Sequence, residues 1–365
     1  MKIDLIAGAR PNFMKIAPII DAINSARVEG KNISFRLVHT GQHYDKNMSG
    51  SFFDQLGIPH PDINFNAGGG TQAEQTSAIM IAYEKLLTQD KPDLCIVVGD
   101  VTSTMACSIA AKKMLVHVAH VEGGIRSGDW SMPEEINRIV TDSITDYFFT
   151  TSEIANQNLR KSGVSENQIF FVGNTMIDTL LKHRQRFSKP AIWDQADLTS
   201  GNYIVITLHR PANVDEEGNL KDLINEIIKN SHDIPLIFPV HPRTAKGLKN
   251  IGINHPRLLL IEPLGYLEFN YLVERSKAVI TDSGGITEET TVMGIACMTL
   301  RDNTERPETI QIGTNELLGT DPKAIKPALD KLFNGYWKKG GIPELWDGKA
   351  AQRIVGHLLE IFCIT

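Results

Sequence analysis

Asp100 and Glu122 are the residues of this chain best placed to move a proton. Each ends an apolar, β-branched run: Asp100 closes LCIVVGD and Glu122 closes VHVAHVE. A carboxylate at the carboxyl end of a buried strand sits where open α/β sheets bind their ligands. The stretch AHVEGGIRSGDWSMPEEINR then brings Glu134, Glu135, Arg126 and Arg138 in close behind Glu122. Carboxylates supply general acids and bases, and arginines supply anion contacts. Together they suit a reaction on an anionic sugar derivative.

Other strand exits carry cations and small residues. GARPNFMK (8–15) sets Arg10 and Lys15 after the first apolar run, with Pro11 acceptable in a first helical turn. Taken by itself, Lys15 reads as a solvated helix residue rather than a cleft cation. His39 to His43 follow SFRLVHT, LHRPANV places His209 and Arg210 at an exit, His241 and Arg243 follow PLIFPVH, and Arg301 and Arg306 follow ACMTLRD. In AVITDSGGITEET (278–290), Ser283, Gly284 and Gly285 form a tight turn into a helix. Free amides at a helix start attract phosphate oxygens, and Glu288 and Glu289 would follow within reach of ribose hydroxyls. The same residues also read as an ordinary strand-to-helix turn, with glutamates favoured by the helix dipole. The spacing is neither GxGxxG nor GxxxxGK[ST], which speaks against a nicotinamide dinucleotide and a P-loop nucleotide.

The elements that must position these residues alternate β-branched runs with helical patterns along all 365 residues. Nearly continuous apolar strands mark parallel sheets buried on both faces, and two sets of about six fit two doubly wound domains better than one (β/α)8 barrel. The length also favours two domains, and the polar, irregular segment 180–202 is the linker candidate. A net charge of −6 argues against nonspecific nucleic-acid binding. No stretch reaches the roughly 18 apolar residues of a membrane helix, and no signal-peptide layout is present. Cys95, Cys107, Cys297 and Cys363 lack CxxC spacing and read as small core residues in a reducing cytoplasm. No cluster with metal-ligand spacing stands out.

GARPNFMKIAP, GDVTSTMA, HVEGGIRSGD, MPEEINR, LHRPANV, TDSGGITEE and RDNTERPE occur in this order. Together they resemble the non-hydrolysing UDP-N-acetylglucosamine 2-epimerase family from residue 1 to about residue 320. The resemblance implies an α/β fold of GT-B architecture, two Rossmann-like domains around a cleft, with a C-terminal helix returning to the first domain. That places the N-terminal domain at 1–175 plus 351–365 and the UDP-binding domain at 176–350. It further implies Asp100, Glu122, Glu134 and His209 as catalytic residues. Arg10, Lys15, Arg138, Arg210, Leu264, Phe269, Ser283, Gly284, Gly285, Glu289 and Arg306 become substrate contacts, with Leu264 and Phe269 on the uracil side. Gln42, His43 and His241 resemble part of an allosteric site for a second UDP-GlcNAc. INFNAGGGTQ, however, lacks the arginine usual there, and HRPANV lacks the second arginine of the common HRREN.

The implied activity is reversible conversion of UDP-GlcNAc to UDP-ManNAc through 2-acetamidoglucal, in a cytoplasmic homodimer, with no cofactor, no metal, no nucleic acid and no membrane partner. A hydrolysing epimerase, a GT-B glycosyltransferase and a non-catalytic nucleotide-sugar binder are the rival readings. Which carboxylate is base and which is acid stays open at this level.

Overall fold

The computed structural model describes residues 1–41, 53, 55–210, 213, 217–240, 245, 247–248 and 251–364, apart from the side chains of Arg10 and Glu217. The chain divides into two compact units, Met1–Lys182 with Glu344–Thr365 and His183–Pro343.

The first unit holds a seven-stranded, all-parallel sheet. Its strands are β1 (Lys2–Ala7), β2 (Ser34–His39), β3 (Ile63–Asn64), β4 (Leu94–Val98), β5 (His117–Val121), β6 (Tyr147–Thr150) and β7 (Ile169–Phe171), in spatial order 3-2-1-4-5-6-7. The order reverses between β1 and β4, so the turns leaving those two strands flank the crevice where doubly wound sheets take ligands. The connecting helices are α1 (Arg10–Val28), α2 (Gln72–Gln89), α3 (Thr102–Lys113), α4 (Pro133–Ile144), α5 (Glu153–Lys161) and α6 (Thr175–His183). One face of the sheet packs Ile6, Val38, Cys95, Val97 and Val118 against Ile79, Tyr83, Leu87, Ala106 and Cys107 of α2 and α3. Beneath it, Arg36 makes a two-pronged contact with Asp4 at 2.8 Å on both arms, and the Tyr83 hydroxyl donates to Asp4 at 3.1 Å.

The second unit repeats the plan with six parallel strands. They are β8 (Ile204–Thr207), β9 (Leu236–Pro239), β10 (Leu258–Ile261), β11 (Ala278–Thr281), β12 (Ala296–Thr299) and β13 (Asn315–Leu317), in order 10-9-8-11-12-13. Its switch point lies between β8 and β11. Helices α7 (Glu217–Asn230), α8 (Tyr266–Arg275), α9 (Gly284–Met293) and α10 (Ile325–Phe333) cover it. The last helix, α11 (Ala350–Ile361), packs on α1 of the first unit.

The expected fold class, α/β with two Rossmann-like doubly wound sheets, is what the chain forms. The unit boundaries differ from the expected ones. The chain leaves the first unit after 182 rather than 175, and returns at 344 rather than 351. A proline explains the first shift. Pro18, inside α1, has no N–H to give the Met14 carbonyl one turn back, and the Thr179 hydroxyl of α6 donates to that carbonyl at 2.6 Å instead. Lys182 adds an ion pair with Asp21. At the return, the Trp346 indole N–H donates to the Thr151 carbonyl at 3.0 Å, and Asp178 of α6 accepts from the Ala350 and Ala351 N–H groups that open α11. Cys95, Cys107 and Cys297 are buried as expected. Cys363 is exposed, because it lies beyond the end of α11. Among the described residues no helix is long and apolar enough to cross a membrane.

Candidate active site

In the first unit, three consecutive turns at the carboxyl edge of the sheet interlock. The β1–α1 turn has no Ser, Thr or Asp cap. Asn12 supplies the function from inside the helix, its Oδ1 accepting from the Gly8 and Ala9 N–H groups at 3.1 and 2.9 Å. Its Nδ2 donates to the Val98 carbonyl at 3.0 Å and so fastens this turn to the end of β4. Arg10 opens α1, and its side chain lies outside the described part. One turn on, Lys15 Nζ lies 2.6 Å from Glu122 Oε2, with both side chains largely buried. The solvated reading of Lys15 is therefore corrected: the helix aims it at the tip of β5. Gly99, at φ +65°, lies against this pair, and a Cβ there would come within 3.0 Å of Lys15 Nζ.

Glu122 follows β5 directly at φ +72°, a left-handed conformation that disfavours side chains other than Gly, Asn or Asp. Strain of this kind, about 1–3 kcal/mol, clusters at functional sites. Asp100, beyond the tip of β4, forms an ion pair with Arg138 of α4, and its carbonyl accepts from Asn137 Nδ2 at 2.9 Å. Arg138 also contacts Glu135 at 2.6 Å. Glu135 gathers the loop before α4, accepting from Ser127 N–H, Ser127 hydroxyl and Gly128 N–H at 2.9, 2.9 and 3.0 Å. Burial pushes its carboxyl up, but these hydrogen bonds and Arg138 outweigh burial and hold it below the usual range. Glu134 is half-buried in the first turn of α4, one turn ahead of Arg138 on the same helix face. Of the histidines after β2, His39 is buried against Phe13, and its Nδ1 accepts from Gly41 N–H at 2.7 Å. Burial lowers it to about 4, so it is a neutral core residue. Gln42, His43 and His241 lie outside the described residues.

The second unit builds its site at β8 and β11. Asp282, wholly buried, organises both exits. It accepts from the His209 N–H at 3.0 Å, the Arg210 N–H at 2.9 Å and Asn213 Nδ2 at 3.1 Å. His209 Nδ1 lies 2.8 Å from Asp282 Oδ1, while 64% of the His209 side chain remains exposed. The imidazole is thus fixed by one nitrogen and presents the other outward, the arrangement a histidine needs to act on a ligand. Burial pushes the Asp282 carboxyl up, and the hydrogen bonds and charge of His209 overcome it to hold the carboxyl down.

Helix α9 starts at Gly284 after Ser283, whose side chain makes no capping hydrogen bond. The first-turn amides of α9 are thus left uncapped by Ser283, as an anion site requires. Arg301 and Glu305 form a fork at 2.8 and 3.0 Å beside Gly284. Arg306 pairs with Glu288, so the arginine expected as a ligand contact is also a structural partner of α9. Glu289 accepts from the Tyr266 hydroxyl at 2.9 Å, and burial raises its carboxyl to about 7. Folding therefore holds this proton more tightly than the unfolded chain does. Its contribution to stability falls as pH rises from the ordinary 4.5 through about 7 and is level above that. Leu264 and Phe269 are half-buried at and just before α8, packed with Ile286 of α9 on one apolar cluster. Among the described residues, no group of three or more His, Cys, Asp or Glu side chains is placed to hold a metal ion.

The family profile described as UDP-N-acetylglucosamine 2-epimerase matches residues 26–359. The chain belongs to the UDP-N-acetylglucosamine 2-epimerase family. It is 40% identical to the UDP-N-acetylglucosamine 2-epimerase of Methanocaldococcus jannaschii, over 97% of this chain and 98% of that protein. It is 39% identical to the UDP-2,3-diacetamido-2,3-dideoxy-D-glucuronate 2-epimerase of Pseudomonas aeruginosa, over 99% and 100%. A crystal structure of the Methanocaldococcus jannaschii UDP-GlcNAc 2-epimerase in complex with UDP-GlcNAc and UDP superposes with a TM-score of 0.87, covering 99% of this chain and 100% of that one. As a member of an epimerase family with this two-sheet architecture, the chain is an isomerase. The residues that sequence reasoning passed over include Asn12, Asn213 and Asp282, the buried groups that fasten the turns bearing the named ones.

Proposed function

We propose that this chain interconverts UDP-GlcNAc and UDP-ManNAc by eliminating UDP and adding it back. The C2 proton of the sugar is not acidic, since no carbonyl adjoins it. Breaking the C1–O bond sends the electron pair to the β-phosphate of UDP and leaves positive charge at C1. A base then takes the C2 proton, and its electrons form the C1–C2 double bond of 2-acetamidoglucal. UDP oxygen returns to C1 while a proton reaches C2 from the opposite face. Two faces need two proton-transfer groups, which Asp100 and Glu122 supply, with Glu134 as the third carboxylate. Arg10, Arg210, Arg306, His209 and the Ser283–Gly284–Gly285 amides stabilise the charge developing on UDP. Leu264 and Phe269 take the uracil side. The observation that carries the reading is the pairing of Lys15 with Glu122 and of Arg138 with Asp100 at adjacent strand tips.

The Pseudomonas aeruginosa relative, at 39% identity, favours one second reading: the same C2 chemistry on a substituted UDP-hexuronate. Incubation of each UDP-sugar in D2O, followed at C2 by NMR, decides. The expected result is deuterium at C2 of UDP-GlcNAc with UDP-ManNAc formed. Label only in the hexuronate would favour the second reading. Accumulating UDP with free ManNAc would indicate a hydrolysing enzyme, and an unlabelled C2 a transferase or a binder.

Glu289 is proposed to accept the ribose hydroxyls, a role for its ionised form. With its carboxyl at about 7, UDP affinity should rise about tenfold between pH 6 and pH 8 as the competent fraction grows. Calorimetric titration of wild type and Glu289→Gln in parallel separates this step from the titration of UDP itself. Equal pH slopes in the two proteins would remove Glu289 from the ribose site.

A further inference from the structure

Behind the carboxylates lies a buried pair that the chemistry above does not use. His120, in β5, is 1% exposed. Its Nε2 lies 2.8 Å from the Gly99 carbonyl oxygen and its Nδ1 2.7 Å from Asp142 Oδ1. A carbonyl oxygen only accepts, so Nε2 carries a proton. Asp142 is held as a carboxylate: Arg126 donates to its other oxygen at 2.6 Å and the Gly124 N–H at 3.1 Å. Burial pushes that carboxyl up, yet His120 and Arg126 together bring it below its ordinary value. The ring is thus clamped at both nitrogens, Nε2 donating to the Gly99 carbonyl and Nδ1 lying against Asp142.

The two ends of this pair fasten two different turns. Nε2 of His120 holds the Gly99 carbonyl, in the peptide that leads into Asp100. Asp142 holds the Gly124 N–H, two residues past Glu122. Gly123 closes the space between: a Cβ there would lie 2.9 Å from Phe148 Cδ1 and 3.5 Å from both His120 Nδ1 and Asp142 Oδ1. One hydrogen-bonded pair therefore spans the turns bearing both proton-transfer carboxylates, with no slack around it.

We propose that His120, held in place by Asp142, is a positioning residue that sets Asp100 and Glu122 relative to each other for proton transfer at C2. This rests on the epimerase reading above. Small misplacements of reacting groups cost rate steeply, about 100-fold for 1 Å. His120→Asn keeps the donor toward Asp142 and releases the Gly99 carbonyl. It is expected to lower kcat about 10- to 100-fold with KM and UDP affinity within twofold. His120→Gln, which keeps the donor toward Gly99, should recover part of the loss. In the full wild-type chain, 15N NMR of labelled histidine should show His120 Nε2 protonated, as the donor to the Gly99 carbonyl. A folded His120→Asn variant with wild-type kcat, a parallel loss of kcat and UDP affinity, or an unprotonated Nε2 in wild type would each overturn the proposal. If wild type itself leaves C2 unlabelled in D2O, the epimerase reading fails, and the 15N measurement still judges the Nε2 contact with Gly99 on its own.

Discussion

Glu122→Gln is expected to lower turnover by about 10²–10⁴-fold, the usual worth of a positioned general acid or base, while UDP binding survives. The substitution keeps the size and planarity of the side chain, which matters at a position with 2% side-chain exposure. It removes the charge opposite Lys15 and the ability to take a proton. Asp100→Asn should behave alike, since Arg138 retains its contact with Glu135 at 2.6 Å and α4 stays anchored. The proposed phosphate and ribose contacts lie mostly in the second unit, so the UDP dissociation constant should change little. Single-turnover label exchange at C2 together with UDP calorimetry tests both variants. Loss of UDP affinity in both would transfer these carboxylates from chemistry to binding.

Gly124→Ala is expected to destabilise the first unit by about 3 kcal/mol or more. Gly124 has φ +83°, and a Cβ would lie 2.4 Å from the Ala155 carbonyl oxygen and 2.8 Å from Leu159 Cγ. Both obstacles belong to α5, and backbone at that distance does not yield cheaply. The glycine is also held on both sides, its N–H by Asp142 and its carbonyl by Asn158 Nδ2 at 3.0 Å. Thermal unfolding should show a drop of about 2–4 °C per kcal/mol for a domain of this size. Gly128→Ala is the control, since it shares the positive φ but has nothing within 4 Å of the added carbon. Equal losses in the two would assign the effect to backbone conformation alone.

Most of the architecture is readable because a strand buried on both faces must be apolar throughout, and a polar residue ending such a run marks its tip. LCIVVGD and VHVAHVE announced Asp100 and Glu122 in this way. β3 carried no such mark: Ile63–Asn64 is two residues long and pairs with Val38 and His39 alone. The boundary after α6 was hidden for another reason. Thr179 belongs to the first unit through a hydroxyl that completes a helix 165 residues earlier, and no local periodicity encodes that. The same distance problem concealed the supporting residues. His120 reads as filler in an apolar strand until Asp142 and the Gly99 carbonyl are seen on either side of it. Asp282 reads as the end of a strand until it is seen to hold His209, 73 residues away. Turn chemistry declares itself within a few residues, whereas the partner of a buried charge does not.

The left-handed backbone at Glu122 has a practical corollary. A glycine there would relieve a conformational penalty of about 1–2 kcal/mol, yet it would strip the largely buried Lys15 of its counter-ion, a loss of about 3–5 kcal/mol. Variants enriched solely for resistance to heat would therefore keep the glutamate in spite of its backbone. In this chain durability and turnover hold residue 122 to the same side chain, so a library screened for one would not erode the other.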